Sequence, residues 1–315
     1  MIELLDLKVD VVFKDFFGDK NSKEILESFI NAVLGLEGDE LIEVEEFLDP
    51  RKMRVEVGKP STFVDLSVKT RGGERYIVEM QTYNHEGFDK RLLYYLGKDY
   101  TEQIEYHYHQ PLAPEKRKSK KLIGWGDLPK VHIIAVIDFH RSQKEKDGIL
   151  NHQEVVETYR FKPEISASNN HIFDHWEATI VDLKKFKSKP INKLKTDKEK
   201  WIFLLNDAPS IKQADADALK KDPVFQRALE RLELLSSDPK TRKAYETSVN
   251  DQRDHLAVME AAEKKALEIG RQEGREEEKR QIARALFKQG LDPGQISKAT
   301  GLSEEDILSF QNTKI

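Results

Sequence analysis

Hydrophobic and polar residues alternate most clearly in residues 63–81, where two short segments flank a pair of glycines. Gly72 and Gly73 separate the two segments, as expected for a tight turn. The pattern therefore predicts a β-hairpin. Side chains along a strand point alternately to opposite faces, so Asp65 shares a face with Ser67, and Glu79 shares a face with Gln81. Two carboxylates and an amide would form one patch if the strands pair in the right register.

The length of the turn decides that register. A two-residue turn at Gly72 and Gly73 pairs residues whose numbers sum to 145, which places Asp65 beside Met80 and turns Glu79 away. A three-residue turn, residues 71–73 with a left-handed glycine and a bulge, makes the sum 144 and puts Asp65 opposite Glu79. We predict an odd-length turn or a bulge. An unbulged two-residue turn would count against a site here.

Periodicity elsewhere predicts the remaining elements of an α/β domain. The spacing of apolar residues predicts a helix capped at Asn21 and ended by Gly35, and a second helix over residues 88–107. Strands are predicted over residues 41–48, 131–139 and 176–186. The order of helix, three strands, helix and strand predicts one mixed sheet flanked by helices.

The C-terminal part of the chain has a different pattern. From about residue 215 it is helical nearly throughout, with a break at residues 236–239. Residues 270–280 carry no apolar stripe, which predicts a solvated connector helix. We expect an α/β domain over residues 1–210, a helical region over 211–290 and a two-helix tail over 291–315. The helical C-terminal region is also the candidate surface for homo-oligomers.

Composition narrows the possible functions. The chain has 315 residues, of which 35% are charged, a net charge of −5 and no cysteine. Disulfides, thiolate metal sites and cysteine nucleophiles are thereby excluded. The net charge gives no general support for polyanion binding, so such binding must be local. The candidates are two lysine-rich segments, residues 116–121 and 184–195, although a solvated loop is the preferred explanation of the first.

Nothing in the sequence predicts secretion or membrane insertion. The N-terminus lacks the basic start and apolar run of a signal peptide. No segment approaches the roughly 20 apolar residues that span a bilayer. We therefore expect a cytoplasmic protein with no membrane partner.

Several motifs, in their order, resemble those of the recombination-promoting nuclease (transposase) family of the PD-(D/E)XK nuclease superfamily. They are DVVFKDFFG at 10–18, VDL at 64–66, VEMQ at 78–81, KRLLYY at 90–95, VDLKKF at 181–186 and WIFL at 201–204. The resemblance also includes the C-terminal segment from Gly274 to Ile307. It implies the restriction-endonuclease-like core, αβββαβ with a mixed sheet, which agrees with the order of elements predicted above.

The resemblance also implies a function and its residues. Asp65 and Glu79 would hold Mg²⁺ (or Mn²⁺) with the carbonyl of Met80, and with Gln81 they would hydrolyse phosphodiester bonds of DNA. The protein would be a metal-dependent endodeoxyribonuclease linked to recombination, mobile elements or defence. Gln81 stands where most of the superfamily has lysine. An amide carries no charge and takes no proton, so a different residue must supply the positive charge of that lysine.

That cation could be Lys14, Arg91 or Lys98. Asp10 and Lys14 match a motif near the N-terminus and either join the site or form a cap or salt bridge. Arg91, Tyr95 and Lys98 share part of one helix surface and either contact DNA phosphates or pack.

The sequence leaves open the role of the C-terminal tail and the activity of the protein. The tail resembles a helix-turn-helix, but its second helix starts with Ser303-Glu304-Glu305-Asp306, which phosphates would repel. A folding or protein-contact role is therefore favoured for it. The alternative for the whole protein is a catalytically weak or inactive DNA-binding or protein-interaction protein on a nuclease fold. DNA versus RNA preference, cleavage specificity and biological role are undetermined.

Overall fold

The computed structural model describes residues 3–48, 64–84, 87–109, 128–142, 147, 154–161 and 175–310. The lysine-rich segment at 116–121, Phe63 of the predicted hairpin and residues 311–315 of the predicted tail lie outside these ranges. Contacts divide the chain into two compact units, Met1–Ser248 and Val249–Ile315.

The first unit contains a mixed sheet. Its six described strands are β1 Val44–Phe47, β2 Leu66–Thr70, β3 Arg75–Gln81, β4 Val131–Ile137, β5 Val156–Arg160 and β6 Trp176–Asp182. Their order in the sheet is β1-β2-β3-β4-β6-β5. Strands β1, β2 and β3 are antiparallel neighbours, β3, β4 and β6 are parallel, and β5 is antiparallel to β6.

The helices of this unit flank the sheet. They are α1 Asp10–Phe17, α2 Lys23–Leu34, α3 Phe88–His109, α4 Asp197–Asp207, α5 Gln213–Leu219 and α6 Pro223–Ser237, and helix α7, Pro239–Lys288, begins here. Helix α3 packs through Phe88, Leu92 and Leu96 on one sheet face, where it covers Ile77 and Ile133. Apolar residues at i, i+4 and i+8 thus form the buried stripe of α3.

A second layer of helices is built around aromatic side chains. The ring of Trp201 in α4 lies 6.0 Å from those of Phe17 in α1 and Phe29 in α2, and 4.8 Å from that of Phe225 in α6. All four residues are fully buried. Helix α6 therefore shares the hydrophobic core of α1 and α2, and a chain cut after residue 210 would expose that core to water.

The predicted order of helix, three strands, helix and strand is confirmed as α2, β1, β2, β3, α3 and β4. Two details are wrong. Helix α2 begins at Lys23 rather than after a cap at Asn21, because residues 20–22 form a separate 3-10 turn. The last predicted strand ends at Asp182, where a 3-10 turn, Leu183–Lys185, takes over. Helix α1 and strand β5 were not predicted.

The second unit contains the end of α7 and two short helices, α8 Pro293–Thr300 and α9 Glu304–Ser309. Ala283, Ile296, Leu302 and Ile307 form its small core. Ser303 caps α9 by accepting a hydrogen bond from the Asp306 N–H at 3.1 Å. Residues 270–280 lie inside α7 and are mostly exposed, which confirms the solvated helix. No described helix is long and apolar enough to cross a membrane.

Candidate active site at the central hairpin

The turn between β2 and β3 has the odd length that the site requires. Leu66 pairs with Val78 and Lys69 with Arg75, so paired residue numbers sum to 144. Gly73 has a φ of 90°, which favours glycine, and its N–H donates to the Thr70 carbonyl at 2.9 Å. The predicted three-residue turn and register are confirmed.

This register brings Asp65 and Glu79 together. Asp65 lies at a bend just before β2, and its N–H donates to Glu79 Oε2 at 3.0 Å. The Met80 N–H donates in turn to Asp65 Oδ2 at 2.7 Å. Through the two carboxylate side chains, these hydrogen bonds extend the hairpin ladder beyond the residue at which β2 begins. The exposed fractions are only 8% for Asp65 and 4% for Glu79.

Two buried carboxylates at this spacing oppose each other's ionisation. Burial raises the pKa of Asp65 to about 7, against the opposing effect of the Lys14 ammonium. Burial and the charge of Asp65 together hold the pKa of Glu79 well above its usual range. Desolvation and like charge both disfavour the charged form of an acid. The pair is therefore short of positive charge.

Helix α1 supplies part of that charge. Lys14 Nζ lies 3.1 Å from Asp65 Oδ1 and 2.7 Å from Asp10 Oδ1. Burial lowers the pKa of Lys14, but the charges of Asp65 and Asp10 outweigh this effect and leave it raised. Lys14 thus stays protonated beside the two acids. Asp10, one turn earlier on α1, is half exposed and adds a third carboxylate charge near Asp65.

Helix α3 places a second cation near the pair, where its charge favours the ionised form of Glu79. The Arg91 guanidinium donates to the Gln81 side-chain oxygen, and its Cζ lies 5.9 Å from the centre of the Tyr95 ring. Tyr95 itself is buried. Burial and the charge of Glu79 raise the pKa of its hydroxyl to about 12, so the ring is neutral at physiological pH. Positive charge from Arg91 therefore stands next to the amide that replaces the usual lysine.

Lys98 is placed differently from Lys14 and Arg91. Its Nζ lies 3.9 Å from Glu102 on the next turn of α3, and the side chain is only 14% exposed. Within the described residues, the structure shows no contact between Lys98 and the acidic pair. The assignment of Arg91, Tyr95 and Lys98 as DNA contacts stays a prediction.

One neighbour of the site was not found from the sequence. Asp138 follows β4 directly, and its N–H donates to the Gln81 carbonyl at 3.0 Å. Its carboxylate lies 3.0 Å from Lys184 Nζ and 3.4 Å from Lys8 Nζ. A polar residue at the carboxyl end of a buried strand was the available signal, since such ends carry ligand sites in α/β sheets.

The donor set fits a hard divalent cation. Among the described residues, no group of three His, Asp or Glu side chains could hold a metal on side chains alone. Mg²⁺ nevertheless binds to sets of two carboxylates and a backbone carbonyl, when water and substrate phosphate complete its coordination. The shortage of positive charge at the buried pair is the observation that such an ion would relieve.

Comparison with known proteins identifies the family. A sequence model described as PD-(D/E)XK nuclease family transposase matches residues 7–262. A second model, described as the C-terminal HTH domain of the Rpn/YhgA-like nuclease family, matches residues 276–311. No curated protein and no solved structure matches the chain. The first match covers more than half of the chain and confirms the resemblance and fold class predicted from the motifs, and such membership suggests nuclease activity. The chain belongs to the PD-(D/E)XK nuclease family transposases.

Proposed function

We propose that the protein is a divalent-metal-dependent endonuclease that hydrolyses phosphodiester bonds in DNA. The observation that supports this proposal best is the pair of buried carboxylates, Asp65 and Glu79. Each accepts a hydrogen bond from a backbone N–H next to the start of β2. A structural role alone does not explain two buried acids side by side, because each destabilises the charged form of the other.

We propose that Asp65, Glu79 and the Met80 carbonyl hold Mg²⁺ or Mn²⁺. The N–H and C=O of one strand residue point to the same edge, so the Met80 carbonyl faces the side on which Asp65 accepts the Met80 N–H. A cation bound there would activate water and offset charge on the scissile phosphate. The carboxylates must be ionised to bind it, so metal affinity should rise with pH.

Gln81, Arg91 and Lys14 divide the role of the missing lysine. The Gln81 oxygen accepts from Arg91, which leaves its amide N–H groups to donate to a phosphate oxygen or to the attacking water. Arg91 contributes the positive charge that the amide lacks. Lys14 opposes the rise in the pKa of Asp65 and so favours its ionised form. With an exposed fraction of 37%, Lys14 can also reach a phosphate oxygen.

A plasmid-nicking assay with Mg²⁺ or Mn²⁺ tests this function. The parent is compared with Asp65→Ala and Glu79→Ala, and with Asp39→Ala as a matched control at an exposed carboxylate. We expect nicking by the parent and the control, and loss of at least a hundredfold in rate in both site variants. Equal nicking by all four proteins would remove the proposed site. No nicking by any of them would favour the inactive DNA-binding alternative.

The C-terminal tail is proposed to make protein contacts rather than to read DNA bases. Helix α9 begins with Glu304, Glu305 and Asp306, whose charges repel phosphates. If Glu304→Gln/Glu305→Gln leaves binding to duplex DNA unchanged, the proposal is supported. A gain in affinity would contradict it. Oligomerisation through the helical C-terminal region is a further proposal. Size-exclusion chromatography of the full chain and of a chain that ends at residue 248 tests it. The shorter chain must keep α6, because α6 belongs to the core of the first unit.

A further inference from the structure

Residues 183–196 form a strongly basic segment, here called the lysine ridge, directly after β6. They include no acidic residue and six lysines, at positions 184, 185, 187, 189, 193 and 195. Five of these side chains are exposed, all except Lys185. In a chain with a net charge of −5, such a concentration of one sign is a local feature that needs an explanation.

The ridge is held in place by its backbone and by buried anchors. It contains two 3-10 turns, Leu183–Lys185 and Ile191–Lys193. Leu183, Ile191 and Leu194 are buried, and the Ile191 N–H donates to Asp215 Oδ1 at 3.0 Å. The exposed lysines therefore project from a fixed base, which lowers the entropy lost when they bind a ligand.

The ridge begins at the same edge of the sheet as the candidate active site. Gln81 on β3 pairs with Ile137 on β4, and Ile137 pairs with Asp182 on β6. Two strand spacings of about 4.8 Å put Asp182 roughly 10 Å from Gln81. A chain of direct contacts also joins them: Gln81 carbonyl to Asp138 N–H, and Asp138 carboxylate to Lys184 Nζ.

Ion pairs neutralise only part of the charge of the ridge. Glu199 interacts electrostatically with Lys189 and Lys195 at its far end. Lys184 and Lys185 pair with Asp138, Glu157 and Asp182 near the sheet. Farther along, the structure shows no salt bridge from Lys187 or Lys193 to any described residue. The next acids in the chain, Asp197 and Glu199, lie in the first turn of α4. A run of exposed ammonium groups next to a nuclease site is complementary to a polyphosphate chain.

We propose that the lysine ridge binds the DNA phosphate backbone on one side of the scissile bond. This inference rests on the proposed function, since it names where the substrate of the same site extends. DNA presents one phosphate per 3.4 Å of each strand, so about 10 Å from Gln81 corresponds to roughly three nucleotides. The contacts are to phosphates only, so the ridge would set affinity and orientation without reading sequence.

Salt-dependent binding of a 30-base-pair duplex, measured by fluorescence anisotropy in EDTA, tests the ridge. The variant Lys187→Ala/Lys189→Ala/Lys193→Ala is compared with a matched control. The control is Lys20→Ala/Lys240→Ala/Lys243→Ala, which removes the same charge from three exposed lysines elsewhere in the first unit. Each lost phosphate contact should reduce the slope of log K against log salt by about 0.9. For one to three lost contacts, we expect a slope shallower by about 1 to 3 and binding about 10- to 500-fold weaker at 0.1 M salt.

Three results would overturn the ridge. One is an equal slope and affinity for the ridge variant and the control. Another is the absence of DNA binding by the parent. The third is competition by poly-glutamate of the same charge as effectively as by DNA, which would point to an acidic protein partner.

Plasmid nicking, measured separately, keeps the two proposals distinct. A parent that nicks plasmid while the ridge variant binds DNA like the control refutes the ridge alone. A ridge effect on binding, with no nicking by the parent, refutes the nuclease alone and leaves the ridge standing.

Discussion

Replacing Asp65 by asparagine should stabilise the metal-free protein at neutral pH. The pKa of Asp65 is raised to about 7 in the folded protein, mainly by burial. In the unfolded chain it should be near 3.9. Between these two values the unfolded chain releases the proton and the folded protein retains it, so the parent loses stability as pH rises. Above pH 7 the loss is complete and constant.

The size of the effect follows from the two pKa values. Each pH unit inside the window changes the free energy of unfolding by about 1.4 kcal/mol. Between pH 5 and pH 8 the advantage of Asp65→Asn over the parent should therefore grow by about 2 to 3 kcal/mol. Asparagine does not titrate, and any constant effect of losing the Lys14 contact cancels in this difference.

Urea unfolding in EDTA at pH 5, 6, 7 and 8 measures this growth. Asp39→Asn, at an exposed carboxylate, is the matched control and should follow the parent at every pH. A divalent cation at a thousand times its Kd should reverse the order at pH 8, because it stabilises the parent by about 4.1 kcal/mol and the variant much less. An advantage of Asp65→Asn that stays constant from pH 5 to 8 would refute the reasoning.

Two further predictions concern Arg91, which lies near the acidic pair, and Gly73 in the hairpin turn. Arg91→Ala should slow plasmid nicking by about ten- to a hundredfold, because the positive charge beside Gln81 is lost. Arg91→Lys should be intermediate, because its shorter side chain keeps the charge but holds it farther from Gln81. Single-turnover rates would show this, and a parent-like rate for Arg91→Ala would contradict it. Gly73→Ala should destabilise the protein by about 1 kcal/mol or more, since its φ is 90°, whereas Gly72→Ala is the control with no positive φ. Equal urea midpoints for the two variants would contradict the role of the turn.

The hairpin and its register could be predicted because local chemistry determines them. Alternating residues on both sides of two glycines identify the strands, and the left-handed Gly73 fixes an odd turn. The same reasoning could not foresee that Asp65 lies at a bend and pairs through the Met80 N–H. That geometry depends on where β2 begins, and element boundaries are the least reliable part of a prediction from sequence.

The sequence named three candidate cations for the site but could not choose among them. Arg91 and Lys14 come from helices on either side of the hairpin in sequence, and only tertiary packing chooses between them and Lys98. Strand β5 was missed for a related reason. Its residues are partly or fully exposed, so no buried face produces an alternating pattern of apolar side chains.

Isothermal titration with Mn²⁺ tests most directly whether Asp65 and Glu79 hold a metal. We expect binding near one ion per chain at pH 8, weakened at least tenfold by Asp65→Asn and by Glu79→Gln and unchanged by Asp39→Asn. Binding that is equally tight in the parent and both site variants, or absent from the parent, would contradict it.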